Sequence, residues 1–257
     1  MMKNIEKSFW VVVTSLLLLS CNHEKEAKEQ QTLHNDTEEQ GYLIPGLEHG
    51  LIQSPINILS DETSSGWHNV TLNFSGEINS VENLGHTVQL NFEPGNTITF
   101  DDKVFEFKQL HFHTPAEHLI DGITYPMEMH VVNTLKDQHE GETEYLVLGF
   151  LVKMGKENTF VKSFIDQVPD EAHKATPIDL NAVKESVLLS DSLSNETNAY
   201  YYYKGSLTTP PYTESVNWCV LKKIFEASPD QIRRINEIEG DNARHIQAIR
   251  EREVSSQ

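Results

Sequence analysis

The chain has 257 residues, enough for one large domain, and a net charge of −19 from 39 acidic against 20 basic side chains. Such a surface repels phosphate backbones and anionic headgroups, which excludes nucleic acid as an expected partner. Apolar residues make up 38% of the chain and are spread along most of it, which excludes wholesale disorder.

In chain order, the first segment reads as a targeting peptide. Lys3 and Lys7 precede an apolar run from Phe9 to Leu19. That run falls short of the about 20 apolar residues a membrane-spanning helix needs. It ends in Leu18-Leu19-Ser20-Cys21, which resembles a bacterial lipobox. Residues 1–20 are then a lipoprotein signal peptide and Cys21 the lipidated residue. The plainer alternatives are an ordinary signal peptide or a buried helix. The expected location is the bacterial cell envelope, with membrane contact through the lipid only. Residues 21–40 are rich in Glu, Gln, Lys, His and Asn. That composition cannot offset ordering entropy, so a flexible tether is expected.

From residue 41 to 257 the pattern is that of a globular domain. Short β-branched and aromatic runs recur between Gly, Asn, Pro and Asp. Strands are expected at Val70–Phe74, Thr87–Phe92, Thr97–Phe100, Val104–His113, Met127–Thr134, Tyr145–Met154 and Val216–Leu221. Glu93-Pro94-Gly95-Asn96 reads as a hairpin turn. Helices are expected at Asn158–Val168 and Pro229–Ile238, the second with Ser228 as N-cap and Pro229 at the first helical position. The sum is one mostly β domain with a few peripheral helices. Only two cysteines exist, Cys21 and Cys219. Cys219 lies in an apolar run and reads as a small buried filler.

Strand side chains alternate between faces. In Val104–His113 that rule places Phe105, Phe107, Gln109, His111 and His113 together. Two imidazoles two residues apart can reach one metal ion. Gln109 can accept the ring N–H of His111 and so fix its tautomer. In Met127–Thr134, Glu128, His130 and Val132 share a face. His130 can be a third ligand, Glu128 its carboxylate partner and Val132 an apolar wall. Three neutral nitrogens leave a fourth tetrahedral position open, which is the catalytic zinc arrangement. Two readings compete with it. A His-x-His pair on a strand is often only a pair of surface imidazoles. His111-x-His113 followed by Glu117 also fits the first metal motif of cupins, with Glu117 as ligand. Against that, Thr114-Pro115 is expected to end the strand before Glu117.

The wider sequence resembles the α-class carbonic anhydrases, the bacterial ones in particular. The blocks that carry the resemblance are Gln53-Ser54-Pro55-Ile56-Asn57-Ile58, Asn83-Leu84-Gly85-His86-Thr87 and Gln109 through His118. Glu128-Met129-His130, Ser206-Leu207-Thr208-Thr209-Pro210-Pro211, Val216-Asn217-Trp218 and Asn242-Ala243-Arg244 follow in order. The resemblance covers roughly residues 41 to 250. It implies a single domain around a large, mainly antiparallel twisted sheet. It also implies zinc-dependent reversible hydration of carbon dioxide to bicarbonate, with carbon dioxide and bicarbonate as the partners. Residue by residue, it implies His111, His113 and His130 as zinc ligands, backed by Gln109 and Glu128. Thr208 matches the hydroxyl that orients the nucleophile and donates to Glu117, and His86 matches the proton shuttle. Val132, Val147, Leu207 and Trp218 match the apolar wall for carbon dioxide, with Thr209 beside them at the substrate site. His118 matches a buried structural histidine near Glu117. A catalytically silent binding module on the same fold is the alternative, disfavoured because all three histidines are present.

The chain departs from the family pattern in three places. The N-terminal lobe is shortened, with Tyr42 the one candidate for the usual pocket tyrosine. Tyr212 stands where exported relatives carry a disulfide cysteine, and no upstream cysteine partner exists in the domain. Leu84 stands where a polar Asn is common.

Overall fold

The computed structural model describes residues 50–73, 78–137, 143–178 and 199–257. The expected signal peptide, Cys21, the tether and Tyr42 lie outside these residues, as does Phe74. The strands are β1 (Asn57–Ile58), β2 (Ser64–Ser65), β3 (Val70–Asn73), β4 (Ile78–Asn83), β5 (Val88–Phe92), β6 (Thr97–Phe100), β7 (Lys103–His113) and β8 (Leu119–Ile120). They continue with β9 (Ile123–Thr124), β10 (Met127–Leu135), β11 (Tyr145–Met154), β12 (Lys174–Pro177), β13 (Tyr200–Gly205), β14 (Val216–Leu221), β15 (Phe225–Ala227) and β16 (Ser255–Ser256). The α-helices among the described residues are α1 (Thr159–Phe164) and α2 (Pro229–Glu239). No helix among these residues is long and apolar enough to cross a membrane.

A 13-stranded sheet runs β12-β4-β5-β7-β10-β11-β14-β13-β16-β2, with β3, β6 and β15 pairing onto it. Most pairings are antiparallel, while β11 pairs in parallel with β14 and β15. The seven expected strands are all present within a residue or two of their expected ends. Nine strands are additional among the described residues, the longest of them β4, β12 and β13. Each of these three carries polar or hydroxylated residues that blunt the apolar alternation.

The centre of the sheet separates two cores. Leu110, Phe112, Met127, Met129, Val131, Leu148, Phe150 and Cys219 belong to the larger one, which α1 and α2 cover. Val132, Val147, Leu151, Val216, Trp218 and Val220 belong to the second. Alternation in β10, β11 and β14 sends successive side chains to one or the other. Cys219 is thus a buried filler, as expected.

Two sequence expectations need correction. Phe105 and Phe107 do not share the face of Gln109, His111 and His113; they join the core with Leu110 and Phe112. The cause is an irregularity in the β7–β10 ladder, where Val132 faces Gln109 but Asn133 faces Phe107. Lys108 is the unmatched residue of a β-bulge, and one extra residue reverses the phase of alternation. The Glu93–Asn96 turn does not make a hairpin of its flanking strands. β5 and β6 both pair with β7, one after the other along the same edge. The hairpin is β6–β7 instead, turned by Asp101 and Asp102, both at positive φ.

The helices follow their expected caps. Asn158 accepts the N–H groups of Phe160 and Val161, and α1 passes into a 3-10 turn at Ile165–Gln167 rather than continuing to Val168. Ser228 and Gln231 form a reciprocal capping box on α2, with Pro229 in its first turn. Such a cap stabilises by about 1 kcal/mol and fixes where α2 begins.

Candidate metal centre

β7 and β10 are antiparallel neighbours, and His111 pairs directly with His130 while His113 pairs with Glu128. Residues opposite one another in a ladder share a face. The register therefore brings His111, His113 and His130 together, with ring centroids 4.7–5.2 Å apart. One ring nitrogen from each lies within 4.8 Å of the others. The Nε2 atoms of His111 and His113 are 3.0 Å apart.

Two of the rings are held by their other side, while His113 Nδ1 makes no hydrogen bond of good geometry among the described residues. Gln109 Oε1 lies 2.8 Å from His111 Nδ1, which leaves Nε2 facing the cluster. Glu128 Oε1 lies 2.9 Å from His130 Nε2, which leaves Nδ1 facing it. Asn242 borders the His113 ring and partly offsets the lowering of its pKa through backbone and side chain. Burial holds the pKa of His113 down at about 4, and it lowers His111 and His130 as well. Near neutral pH the three imidazoles are therefore neutral and carry free lone pairs.

Glu128 is the hub behind the cluster. Its Oε1 also meets His118 Nδ1 at 2.7 Å, and its Oε2 accepts the N–H groups of Glu117 and His118 at 2.9 and 2.8 Å. Burial alone would raise its pKa, but the two histidines outweigh burial and hold it well below the usual carboxylate value. Beyond it, His118 Nε2 lies 2.6 Å from the Tyr203 hydroxyl, which lies 2.9 Å from Ser54 Oγ. His118, Glu128 and His130 could formally hold a metal too. Their facing atoms are already spent on one another.

Gly149 sits opposite His130 on β11, and a Cβ there would meet Glu128 Oε1 at 3.0 Å. Gly205 has a stricter role: a Cβ would meet the Ser54 hydroxyl oxygen and lie 2.8 Å from the Tyr203 ring. The buried network thus depends on two side chains being absent.

Glu117 stands at the other side of the histidines. Its Oε1 accepts the Arg244 N–H at 2.9 Å. Its Oε2 lies 3.5 Å from His113 Nε2 and 3.9 Å from His130 Nδ1, and makes no hydrogen bond of good geometry among the described residues. Burial raises this carboxyl to about 7, against the pull of His130, the Arg244 N–H and the Thr208 hydroxyl. Thr208 is thus beside Glu117.

The apolar wall is contiguous. Val132 pairs with Val147, and Val147 with Trp218. Leu207 packs against the same cluster. The Trp218 ring meets His130 edge-on at 4.8 Å and donates its N–H to the Ser206 carbonyl. Thr209 is not in that cluster; it is exposed, and its carbonyl accepts the Tyr212 N–H at 2.9 Å. His86 is exposed on the β4–β5 turn, where Gly85 has a φ of +82°. Its carbonyl accepts Asn242 Nδ2 at 2.8 Å, and its positive form lowers the pKa of His111. The shuttle candidate therefore sits at the solvent side of the histidine cluster.

Three groups at the site carried no assigned role in the sequence. Asn242 ties the His86 loop to the end of β7 through Phe112 and Thr114. Arg244 holds Glu117 by its main chain and the Ser54 carbonyl by its guanidinium. Glu239, at the end of α2, accepts from Thr114 Oγ1 at 2.9 Å and from Val88 N at 3.3 Å. These three lie near the C-terminal end of the described chain, far in sequence from what they touch. No periodicity could have exposed them.

The donor set suits zinc. A tetrahedral zinc with bonds of about 2.0–2.1 Å to imidazole separates its nitrogens by roughly 3.3 Å, close to the 3.0 Å between the Nε2 atoms of His111 and His113. The unpaired Glu117 Oε2 faces the same space. The cupin reading is not favoured: β7 ends at His113, and the metal-capable trio leaves out Glu117.

A large, mainly antiparallel sheet with a three-histidine cluster on one face defines a class of metalloenzyme. Residues 44–257 match the family model of the eukaryotic-type carbonic anhydrases. The chain belongs to that family. A carbonic anhydrase of Neisseria gonorrhoeae is 35% identical, over 94% of this chain and 95% of that one. The solved α-carbonic anhydrase of Thermovibrio ammonificans, in complex with sulfanilamide, superposes with a TM-score of 0.69 at 33% identity, covering 79% of this chain and 86% of that one. Dioscorin DB3L of Dioscorea polystachya is 28% identical, over 96% of this chain and 93% of that one.

Proposed function

We propose that this chain catalyses the zinc-dependent reversible hydration of carbon dioxide to bicarbonate and a proton. The observation that carries the reading is the convergence of His111, His113 and His130, each with its tautomer fixed from behind or its ring bordered by Asn242. The three histidines would hold the ion. When bound, zinc supplies the Lewis acidity that brings the pKa of a coordinated water toward neutrality.

The chain's own residues do the rest. Gln109 and Glu128 keep the imidazoles in the orientation and tautomer that present lone pairs. Val132, Val147, Leu207 and Trp218 hold carbon dioxide and exclude bulk water from the reacting face. Thr208 accepts a hydrogen bond from the nucleophilic water while donating to Glu117, which fixes the direction of its lone pair. The main chain of Arg244 keeps Glu117 in place. His86 takes the released proton and passes it to buffer, a task for which an exposed imidazole has both an accepting and a donating nitrogen. We further propose, on sequence grounds alone, that the domain is exported and anchored through lipid on Cys21.

The test is stopped-flow carbon dioxide hydration by the protein as purified, after chelation, and after zinc is restored. Activity should vanish with chelation and return with zinc. Full activity without metal rejects the reading, and so does inactivity of the fully zinc-loaded protein.

A further inference from the structure

We infer that the Tyr212 ring is a positioning element for the Thr208–Glu117 pair, acting through Arg244. The inference rests on the reading that this pair orients the attacking water.

Tyr212 belongs to the loop that carries Thr208. Its N–H donates to the Thr209 carbonyl, and the neighbouring Leu207 N–H donates to the Thr213 carbonyl at 3.0 Å. The loop is therefore closed on itself at Tyr212, which adopts a φ of +59°. The Arg244 guanidinium lies over the Tyr212 ring, 3.8 Å from its centroid. The same residue donates its main-chain N–H to Glu117 Oε1 at 2.9 Å and its Nη1 to the Ser54 carbonyl at 2.6 Å. Gln53 Nε2 donates in turn to the Tyr212 carbonyl at 3.2 Å.

Thr208 and Glu117 come from segments 91 positions apart, and no strand pairing joins them. The stacked Tyr212–Arg244 pair links the loop of one to the main-chain donor of the other. Cation–π attraction between a planar guanidinium and an aromatic face sets separation as well as affinity. A ring at position 212 thus fixes the distance between a hydroxyl and a carboxyl that must meet for the water to be oriented.

The experiment compares Tyr212→Ala, Tyr212→Phe and Arg244→Lys as zinc-loaded proteins. Tyr212→Ala and Arg244→Lys should lower kcat/KM for carbon dioxide hydration by about tenfold, which is about 1.4 kcal/mol of transition-state stabilisation. Tyr212→Phe keeps the ring and should stay near the parent value. Zinc affinity, read by chelator competition, should be unchanged in all three. Hydrogen–deuterium exchange should rise in Tyr212→Ala for the peptides around Thr208 and Arg244 together. In a Glu117→Gln background, Tyr212→Ala should add nothing, because the two act through one device.

Independent, multiplicative losses from Glu117→Gln and Tyr212→Ala overturn the inference. So does a Tyr212→Phe variant as impaired as Tyr212→Ala, or exchange that rises around Thr208 alone. If Tyr212→Ala does not fold, Arg244→Lys and Tyr212→Phe decide the matter by the same criteria. Should Glu117→Gln and Thr208→Ala both retain full kcat/KM, the reading of the pair fails; if they are crippled while Tyr212→Ala is not, only this inference fails.

Discussion

The two faces of β10 differ in kind. Met127, Met129 and Val131 point into an apolar core whose contacts are interchangeable in chemistry and constrained by volume. Glu128, His130 and Val132, interleaved with them, face the histidine cluster, a hydrogen-bonded carboxylate and the apolar wall. The first face contributes stability through area and packing. The second places a neutral imidazole, a buried anion and an apolar side chain at fixed points, which costs desolvation that only a complete hydrogen-bond set offsets. One strand thus separates what holds the protein together from what it does.

Substitutions on the two faces should therefore fail differently. His113→Ala should bring hydration to the uncatalysed background and strip the metal while the fold persists; zinc content and a circular dichroism melt would check this. Leu110→Ala, on the apolar face, should cost about 2–5 kcal/mol of stability in denaturant unfolding with zinc affinity of the folded protein unchanged. A matched loss of zinc affinity would break the separation. Glu128→Gln should weaken zinc binding by about 10–100-fold in chelator competition, since His130 loses its anionic partner.

Glu239 offers a subtler test. Burial raises its carboxyl from 4.5 to about 8, opposed by hydrogen bonds from Thr114, Val88 and Thr87. Between those values the native state keeps a proton the unfolded chain has released. The native state binds more protons, so stability falls as pH rises through that window, by at most roughly 1.4 kcal/mol per pH unit from this group. Glu239→Gln cannot titrate and should flatten that slope in unfolding of the metal-free protein; an unchanged slope would contradict it. The smallest effect is expected from His86→Ala. It should lower turnover only in dilute buffer, with recovery on adding imidazole, and buffer-independent turnover would reject the shuttle.

Much of the candidate metal centre was legible in the sequence because it is built on alternation. Gln109, His111, His113, Glu128 and His130 needed only the period of a strand and the adjacency of β7 and β10. The same rule failed at Phe105 and Phe107 because it was carried unbroken through Lys108, whereas the apolar positions change phase there, from Phe105 and Phe107 to Leu110 and Phe112. The turn at Glu93–Asn96 misled for a related reason: local turn chemistry is the same whether strands fold back or continue along one edge. Thr208, Glu117 and His86 lie on loops and were recognisable only as family blocks. Asn242, Arg244 and Glu239 act on those loops across more than a hundred residues, where no local pattern reaches.

The most direct test of the central claim is zinc-edge anomalous diffraction from crystals of the zinc-loaded protein. A single peak bound by His111 Nε2, His113 Nε2 and His130 Nδ1, with Glu117 outside bonding distance, is the expected result. A peak bound by Glu117, a peak at the His118–Glu128 pair, or no peak at the three histidines would contradict it.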